Sequence, residues 1–579
     1  MRTISLNLTL LLQLSITPLF LIFSKRTLAQ WDGNTTPTYT ELIEIYEKFD
    51  NDYKEIELYE MGTSDYGLPI YCCIINGARD SLKSFVKARN STTVLINNAI
   101  HAGEPDGVNA CILWIEKWIK EGKPLKNLPV IAIIPAYNVG GMMNRNSYSR
   151  ANQNGPDEYG FRGNAQNLDL NRDFIKADAQ NTATFCKIFQ ALDPDVFVDT
   201  HVSNGADYQY TLTYISSMKE RLAPSVKNIT YDQCIPFLDS TLKKRNWDLF
   251  PYVELLGDTP EQGIHAFNDL PRYAMGYASL FNTISFTVET HMLKPFPQRV
   301  LATLDFLDVL FDYTNQHAFE IEEARKEAFQ VQLDQNYFKY NFQLDSIRDS
   351  ILFKGYEFSN PISKITGQSR LKYHTDRPYQ KWIPHRNAYT SADSLEIPDY
   401  FVVGSQCQDI IALLKLNAIE YTTIKKSDVL GVKGQKINEF ESIGKPYEGH
   451  FYHSKVDVDI IADTISLKQG DIIISTKQKG RQFLLSTLLP QAEDSYFRWN
   501  YFDSYLQQKE YFSAYVFEDR AIEILEQNPD INESLETLKL SDESFRNSPS
   551  KQLEFIYKNS PHYENSHNIL PIYFYFDKP

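Results

Sequence analysis

Cysteine is scarce in this sequence: six residues are scattered over 579, and no Cys-x-x-Cys pair occurs. A disulfide framework and a cysteine-based metal site are therefore excluded. The adjacent Cys72 and Cys73 lie in the apolar run 70–75. Because neighbouring residues of a strand face opposite sides, we predict two buried small side chains here and no bridge.

Positive charge and long apolar runs are also in short supply. Lys and Arg number 58 against 74 Asp and Glu, which gives a formal net charge of −16. A surface of this sign repels a phosphate backbone, so we predict no nucleic-acid partner. Beyond residue 29, no apolar run reaches the roughly 20 residues that a membrane span needs.

The one long apolar run lies at the amino terminus, from about residue 4 to residue 23, and a small-residue exit follows at 27–29. With a basic residue before it, this pattern is typical of a secretory signal peptide. We predict cleavage after residue 29 and export, either to a periplasm or out of the cell. Lys25 and Arg26 follow the run, which leaves an uncleaved membrane anchor as the alternative.

Length and composition predict a folded protein of several domains. The chain is too long for one ordinary core, and its 42% hydrophobic and 13% aromatic residues exclude a disordered chain. From residue 92 to about 315, short apolar strands alternate with amphipathic helices, which predicts an α/β fold with a mostly parallel or mixed sheet. We predict a leader at 1–29, an α/β domain at 30–335, and a β-rich α+β domain at 336–579 whose role the sequence does not indicate.

Two predicted strands end in residues that can bind a metal. His101-Ala-Gly-Glu104 follows the apolar run 92–100, and His201 follows the strand-like run 195–200. Strand ends at the same edge of an α/β sheet form its ligand site. Two imidazoles, one carboxylate and an open position for water are the arrangement of hydrolytic zinc sites.

The segment between these histidines carries polar groups suited to a peptide substrate. Asn171 and Arg172 offer an amide and a planar guanidinium, which can bind a terminal carboxylate through parallel hydrogen bonds. Arg150 could stabilise an oxyanion. Asp169 could accept the second imidazole proton of a zinc-bound histidine and fix its tautomer.

A carboxylate also ends the strand-like run 282–289. Glu289 at this position could act as a general base and then as a general acid on a metal-bound water. His291 lies two residues further on, and we assign it to the core or the surface in preference to a fourth ligand position.

In this order the motifs resemble the zinc metallocarboxypeptidase family of carboxypeptidase A. The most specific parts are the Asp-Leu-Asn-Arg-Asp-Phe run at 169–174 and the Ser-Phe-Thr-Val-Glu strand at 285–289. The resemblance covers about residues 40–320 and implies a mixed eight-stranded sheet between helices. It implies one zinc ion per chain, bound by His101, Glu104 and His201.

The same resemblance implies roles for the other polar residues. Glu289 would be the catalytic carboxylate, with Arg150 at the oxyanion and Asn171 and Arg172 at the substrate carboxylate. The family's Asn-Pro-Asp-Gly run appears here as Asn-Val-Gly-Gly at 138–141. Tyr273 and Tyr277 are both candidates for the family's substrate-capping tyrosine, and Tyr273 is the preferred one. No residue aligns with the base of the specificity pocket.

We therefore predict an exported zinc metallopeptidase that hydrolyses C-terminal peptide bonds of substrates with a free carboxylate. A related zinc amidase or deacylase, acting on N-acyl amino acids or cell-wall peptides, is the nearest alternative. An exported binding protein without catalysis is an alternative of another class. The sequence indicates neither the side-chain preference nor the oligomeric state.

Overall fold

The structure is a computed structural model that describes residue 31 and residues 33–78, 87–89, 91–346 and 349–576. The predicted leader, residues 1–29, lies outside the described residues. The chain divides into two compact units: unit 1 comprises residues 1–335, 341–394 and 416–418, and unit 2 comprises 336–340, 395–415 and 419–579. The predicted boundary at residue 335 thus differs from the structure, in which residues 341–394 group with unit 1.

Nine α-helices of unit 1 are described: α1 (Tyr39–Asp52), α2 (Asp106–Glu121), α3 (Val139–Met143), α4 (Gln180–Leu192), α5 (Pro224–Lys227), α6 (Ile235–Lys244), α7 (Ala274–Ser279), α8 (Phe296–Gln316) and α9 (Ala318–Asp334). Its first ten strands are β1 (Ile56–Thr63), β2 (Pro69–Ile75), β3 (Thr93–Asn97), β4 (Val130–Ile134), β5 (Val196–Ser203), β6 (Leu212–Ser216), β7 (Leu249–Pro251), β8 (Glu254–Leu255), β9 (Ile264–His265) and β10 (Ile284–His291). Short helical turns lie at Leu125–Asn127, Leu170–Arg172, Asn228–Cys234 and Pro260–Gln262.

Eight of these strands form one sheet in the order β1-β2-β4-β3-β5-β10-β6-β7. The pairs β4–β3, β3–β5, β5–β10 and β6–β7 are parallel, and the other three are antiparallel. Every residue of β3, β4, β5 and β10 is buried. The strands of a sheet that is covered on both faces are apolar along their whole length, which explains the continuous apolar runs in the sequence. The predicted mixed eight-stranded α/β fold is confirmed.

A second sheet of unit 1 includes a long hairpin beyond residue 335. Its strands are β13 (Asp349–Ser359) and β14 (Lys372–Arg386), which join β9 and β8 in the order β13-β14-β9-β8. Phe353 and Ile383 of the hairpin pack in one apolar cluster with Tyr208, Tyr210 and Phe250. This shared core explains why residues 341–394 belong to unit 1. The short strands β12 (Gln343–Leu344) and β15 (Tyr389–Thr390) pair beside it.

Unit 2 contains a six-stranded sheet in the order β18-β21-β17-β22-β19-β20. Its strands are β17 (Tyr400–Val403), β18 (Thr422–Thr423), β19 (Asp428–Ser442), β20 (His453–Leu467), β21 (Ile472–Ser475) and β22 (Ile569–Tyr575), with β11 (Tyr337–Tyr340) also in this unit and β16 (Asp393–Glu396) crossing the boundary. Its helices are α10 (Gln408–Leu416), α11 (Arg481–Leu488), α12 (Ala514–Gln527), α13 (Pro529–Ser541), α14 (Glu543–Arg546) and α15 (Pro549–Lys558). The predicted β-rich α+β character is confirmed, but the sequence did not predict the helices at 529–558.

All six cysteines are buried and unbridged, as predicted for Cys72 and Cys73. Burial raises the pKa of the Cys72 thiol to about 12, so this group stays protonated and unreactive. Within the part of the chain that the structure describes, no helix combines the length and the apolar composition of a membrane span.

Candidate active site

The predicted ligands meet where neighbouring strands end. Strand β3 pairs in parallel with β5, with Asn97 beside Asp199, so the turn after β3 brings His101 towards His201. Strand β5 also pairs in parallel with β10, and Glu289 lies directly beside His201 in that register. Side chains at paired positions of parallel strands point to the same face. The sheet therefore brings three distant segments of the sequence to one point.

Three buried side chains could hold a metal ion there. Nδ1 of His101 lies 3.3 Å from Oε1 of Glu104, and Nδ1 of His201 lies 3.2 Å from Oε2 of the same carboxylate. One ligand atom from each residue lies within 4.8 Å of the other two. All three side chains are at most 4% exposed. Separations of this size suit atoms that converge on one ion.

Each histidine is oriented from behind by a carboxylate. Nε2 of His101 lies 3.0 Å from Oδ1 of Asp169, and Nε2 of His201 lies 2.7 Å from Oδ2 of Asp199. A proton on each Nε2 satisfies these contacts and leaves the Nδ1 lone pairs towards Glu104. Asp169 thus lies where the sequence predicts a tautomer-fixing group. Asp199 was not assigned a role from the sequence, although its position two residues before His201 on one strand face is a signal for it.

Glu289 contributes a buried carboxylate beside this cluster. Its side chain is 8% exposed, and its Oε2 atom has no hydrogen-bond partner among the described residues. Burial raises the pKa of Glu289 to about 7; His201 opposes this rise and Glu104 adds to it. An unpaired buried carboxylate oxygen is costly unless a ligand satisfies it. Together with two imidazoles and a second carboxylate, this atom fits a zinc ion with a bound water.

Arg150 contacts the predicted ligand Glu104. Its Nη1 donates to Oε1 of Glu104 at 2.9 Å, and its Nη2 donates to the carbonyl of Val202 at 3.3 Å. Burial alone would raise the pKa of Glu104, but the Arg150 guanidinium and His101 hold this pKa well below its usual range. A Cβ at Gly103 would lie 2.7 Å from Cδ of Arg150, so only glycine lets the arginine pass at this point.

A second arginine at the site has no recognisable signal in the sequence. Two nitrogens of Arg162 donate to Oδ2 of Asp169 at 3.0 and 2.8 Å, and its Nη1 lies 3.4 Å from Nδ1 of His101. Its side chain is 46% exposed, against 13% for Arg150. Arg162 is therefore the more accessible of these two cations, and sequence reasoning missed it because it stands alone in a loop.

Asn171 and Arg172 lie side by side at the same cavity. Oδ1 of Asn171 accepts from the backbone N–H of Ala274 at 3.0 Å, which leaves the Nδ2 amino group to a ligand. Nη1 of Arg172 donates to the carbonyl of Asn171 at 2.8 Å, and its guanidinium lies 4.6 Å from the ring centre of Tyr273. These contacts hold the guanidinium in one orientation, as binding of a planar carboxylate requires.

The two competing tyrosines lie in different environments. Tyr273 lines the cavity, whereas Tyr277 is fully buried, and its hydroxyl donates to Oδ1 of Asn417 at 2.7 Å. Tyr277 packs against the rings of Phe174 and Phe189 in the core. It therefore does not reach the cavity, because α7 turns its ring to the opposite side.

His291 is likewise a core residue. Its Nε2 donates to the carbonyl of Ala206 at 2.8 Å, and its ring packs against Tyr208.

A cavity of about 430 Å³ joins these groups, and its walls contain all three predicted ligands, Glu289, Arg150, Arg162, Asn171, Arg172 and Tyr273. The remainder is mixed: it includes the apolar residues Ile215, Tyr252, Phe267 and Met275 and polar residues such as Ser149, Asn152 and Asn204. A concave site in which several polar and charged groups converge beside apolar walls is a usual form of an enzyme's substrate site.

Comparison with known families finds a match to part of the chain. Residues 42–219 match the family described as zinc carboxypeptidase. No curated protein matches the chain. The match supports the predicted zinc metallopeptidase, with zinc as its cofactor.

Solved structures similar to the chain include a metallo-carboxypeptidase from Burkholderia cenocepacia, with 15% identity and a TM-score of 0.36 over 48% of this chain and 70% of that one. A putative carboxypeptidase from Burkholderia mallei has 17% identity and a TM-score of 0.35 over 49% and 68%. A carboxypeptidase A from Helicoverpa armigera has 14% identity and a TM-score of 0.36 over 53% and 77%.

Proposed function

Since this chain carries a zinc carboxypeptidase domain at residues 42–219, we propose that it is an exopeptidase that hydrolyses the C-terminal peptide bond of substrates with a free carboxylate. One observation carries the proposal: Asn171 and Arg172 share a cavity with the metal-binding cluster and with Glu289. A guanidinium and an amide at this distance from a hydrolytic centre select a chain end. An endopeptidase would have no use for such a pair.

The residues that would hold zinc are His101, Glu104 and His201. Bound there, zinc would supply Lewis acidity to the scissile carbonyl and to a water. Asp169 and Asp199 keep the imidazole lone pairs towards the ion, because each accepts the proton of the opposite ring nitrogen.

Glu289 would act as general base and then as general acid. Its Oε2 atom has no partner among the described residues and can accept the proton of a water that attacks the carbonyl. The same carboxyl group then donates this proton to the leaving amine as the C–N bond breaks. Its raised pKa, about 7, suits a group that must both take and release a proton near neutral pH.

Arg150 would stabilise the negative charge that develops on the carbonyl oxygen. Its guanidinium lines the cavity beside Glu104, within the low-dielectric surroundings in which such an interaction is strongest. Tyr273 would close over the bound chain end, since its ring packs on the Arg172 guanidinium.

We also propose that the enzyme is exported and acts on peptides or peptide-like substrates outside the cytoplasm. The leader-like sequence at 1–29 supports this part of the proposal.

The role of Glu289 is tested by Glu289→Gln. We expect loss of at least about 1,000-fold in kcat, because general acid–base catalysis and water activation are both removed. Zinc content, measured by mass spectrometry of the purified protein, should stay at one ion per chain. Glu44→Gln on the exposed side of α1 is the matched control and should retain activity. Full activity of Glu289→Gln with zinc bound would contradict the proposal.

A further inference from the structure

An exposed turn at residues 360–371 joins the long strands β13 and β14. Ile365 in this turn is 95% exposed, more than any other large apolar side chain that the structure describes, and Ile362 is 69% exposed. Leu371 and Phe358, at 40% and 37%, continue the apolar surface towards the strands. A group of exposed apolar side chains marks a surface that another molecule covers.

Hydrogen bonds give the 360–371 turn a defined backbone. The N–H of Ser363 donates to the carbonyl of Gln368 at 2.8 Å, and the N–H of Gly367 donates to the carbonyl of Ser363 at 3.0 Å. The Ser363 hydroxyl also accepts from the backbone N–H groups of Ile365 and Thr366, at 3.2 Å each. Gly367 has a φ of 70°, which glycine adopts without strain. The turn thus presents its apolar side chains from a built structure.

The charge of this segment is opposite in sign to that of the whole chain. The chain has a formal net charge of −16, whereas residues 358–375 contain no Asp or Glu and three cations, Lys364, Arg370 and Lys372. Among the residues that the structure describes, none of these three cations forms an ion pair. Exposed aliphatic side chains and unpaired cations therefore lie together in one turn.

An anionic bilayer surface fits this combination better than a protein partner does. Protein interfaces place their anchor side chains in packed pockets, and the 360–371 turn is a loop that does not line the candidate-site cavity. In the interfacial layer of a bilayer, apolar side chains enter the acyl-chain boundary while Lys and Arg stay at the phosphates. The turn offers both kinds of group within a few residues.

We propose that the 360–371 turn binds the protein to the surface of a bilayer that contains anionic phospholipid. Ile362 and Ile365 enter the boundary of the acyl chains, and Lys364 and Arg370 contact lipid phosphates. The attachment is peripheral and reversible, because few apolar side chains take part. It is independent of the proposed function, since none of these four residues lines the cavity.

Sedimentation with lipid vesicles tests the proposal on the predicted mature chain, residues 30–579, so that the apolar leader does not contribute. We expect binding to vesicles of equal parts phosphatidylcholine and phosphatidylglycerol, and at least about tenfold weaker binding to phosphatidylcholine alone. Ile362→Ser combined with Ile365→Ser should weaken binding to the anionic vesicles at least about tenfold, because two apolar side chains no longer enter lipid. Lys364→Gln combined with Arg370→Gln should weaken it to a similar extent, and this effect should shrink as salt is added.

Ile522→Ser on α12 and Lys326→Gln on α9 are the matched controls, because they change exposed residues elsewhere, and both should bind like the wild type. All of these variants should keep the wild-type melting temperature, since the altered side chains are exposed. Absence of binding to the anionic vesicles, or binding that the turn variants leave unchanged, would overturn the proposal. A wild-type dimer in solution that dissociates in the isoleucine variant would also overturn it and assign the turn to a second copy of the chain.

A dye attached to the turn locates the contact. All six native cysteines are buried, so Thr366→Cys provides one accessible thiol beside Ile365. A nitrobenzoxadiazole label on this thiol should gain intensity and shift to shorter wavelength with anionic vesicles, as it does in apolar surroundings. The same label on Ile522→Cys should not respond. A response at Ile522→Cys without one at Thr366→Cys would place the membrane contact on another surface and overturn the proposal.

Discussion

At the scale of single residues, the site depends on carboxylates behind the metal-facing rings. Asp199 is fully buried, and its two oxygens are divided between His201 and the side-chain amide of Asn97, at 2.7 and 3.0 Å. This arrangement leaves the His201 ring one orientation and one tautomer. The affinity for zinc should therefore depend on a residue that does not touch the ion.

We predict that Asp199→Asn weakens zinc binding by roughly 10- to 100-fold, because the amide holds the imidazole tautomer less well. Competition with a chromophoric chelator measures this affinity directly. The exposed Asp232→Asn should bind zinc like the wild type. An unchanged affinity in Asp199→Asn would mean that His201 is held by the backbone alone.

The sequence identified residues whose chemistry is legible in a local pattern. His101 and Glu104 stand three apart on one turn, and Asn171 and Arg172 are adjacent, so each pair is visible without a fold. Arg162 could not be identified in this way, because its position beside His101 depends on the conformation of the loop from 144 to 169. The choice between Tyr273 and Tyr277 as the substrate-capping residue also required the structure. The orientation of the six-residue helix α7 decides which of the two rings faces the cavity.

At the scale of elements, one buried ion pair connects the segments that carry the proposed catalytic residues. Nε of Arg299 on α8 donates to Asp106 of α2 at 2.8 Å, and Thr290 of β10 donates to the same carboxylate at 2.8 Å. Arg299 also donates to the carbonyls of Asn154 and Gly155, in the loop that follows Arg150. The Arg299 and Asp106 side chains are at most 1% exposed.

We predict that Arg299→Met lowers the free energy of unfolding by about 3 kcal/mol, because it leaves the Asp106 carboxylate buried and unpaired. It should also lower kcat, since the loop after Arg150 and the end of β10 lose a common anchor. Urea unfolding and steady-state kinetics measure the two effects. Lys326→Met on α9 removes a cation that is 67% exposed. This control should change neither the free energy of unfolding nor kcat. A stable, fully active Arg299→Met would contradict this account.

A second ion cluster connects α8 with the helices beside it. Asp308 accepts from Lys117 of α2 at 3.1 Å, from Trp114 at 3.0 Å and from Arg245 at 2.8 Å. Burial alone would raise the pKa of Asp308, but the hydrogen bonds from Arg245 and Trp114 and the charge of Lys117 lower this pKa to about 2. The ordinary pKa of an Asp side chain is 3.8.

Because the pKa of Asp308 is lowered by folding, its ionised form stabilises the folded state above about pH 4, and this contribution is lost as pH falls towards 2. We expect this ionised carboxylate to contribute about 1–2 kcal/mol to the free energy of unfolding, after a discount for solvent screening. The stability difference between wild type and Asp308→Asn, from urea unfolding, should be larger at pH 6 than at pH 3. A difference that grows on acidification would have the wrong sign for this cluster.

Helices and strands were predicted well where burial of one or both faces gives the sequence a regular hydrophobic pattern. The strand-like runs at 92–100, 195–200 and 282–289 coincide with the buried strands β3, β5 and β10 to within a few residues, whereas no strand was predicted at β6 or β7. The hairpin β13–β14 was not recognised, because many of its residues are exposed and its polar sequence resembles a loop. Helices α13 to α15 were missed for a similar reason: each buries only a narrow stripe.

At the scale of the whole molecule, the chain has two compact units, and the proposed ligands all lie in unit 1. We predict that zinc slows hydrogen exchange in peptides from β5 and α2, because an ion that binds the folded state stabilises it, by about 4 kcal/mol at 1,000 times Kd. Exchange measured by mass spectrometry with zinc and with a chelator tests this. A zinc effect confined to unit 2 would place the metal elsewhere.

The boundary of unit 1 has a consequence for truncation. Because Phe353 and Ile383 share a core with Tyr208 and Tyr210, a chain ending at residue 335 would expose this cluster. We predict that such a truncation aggregates or loses its zinc-dependent activity. Removal of β13–β14 without loss of soluble, active enzyme would contradict the assignment of the hairpin to unit 1.

In the function we propose, Arg172 recognises the free carboxylate of a substrate's chain end. The most direct measurement is kcat/KM for one peptide as the free acid and as the C-terminal amide, with wild type and with Arg172→Met. We expect the wild type to prefer the acid by at least about 100-fold, because the amide leaves a guanidinium unpaired, and Arg172→Met to abolish most of this preference. Equal cleavage of acid and amide by the wild type, or preferred cleavage of N-acyl amino acids or muropeptides, would contradict it.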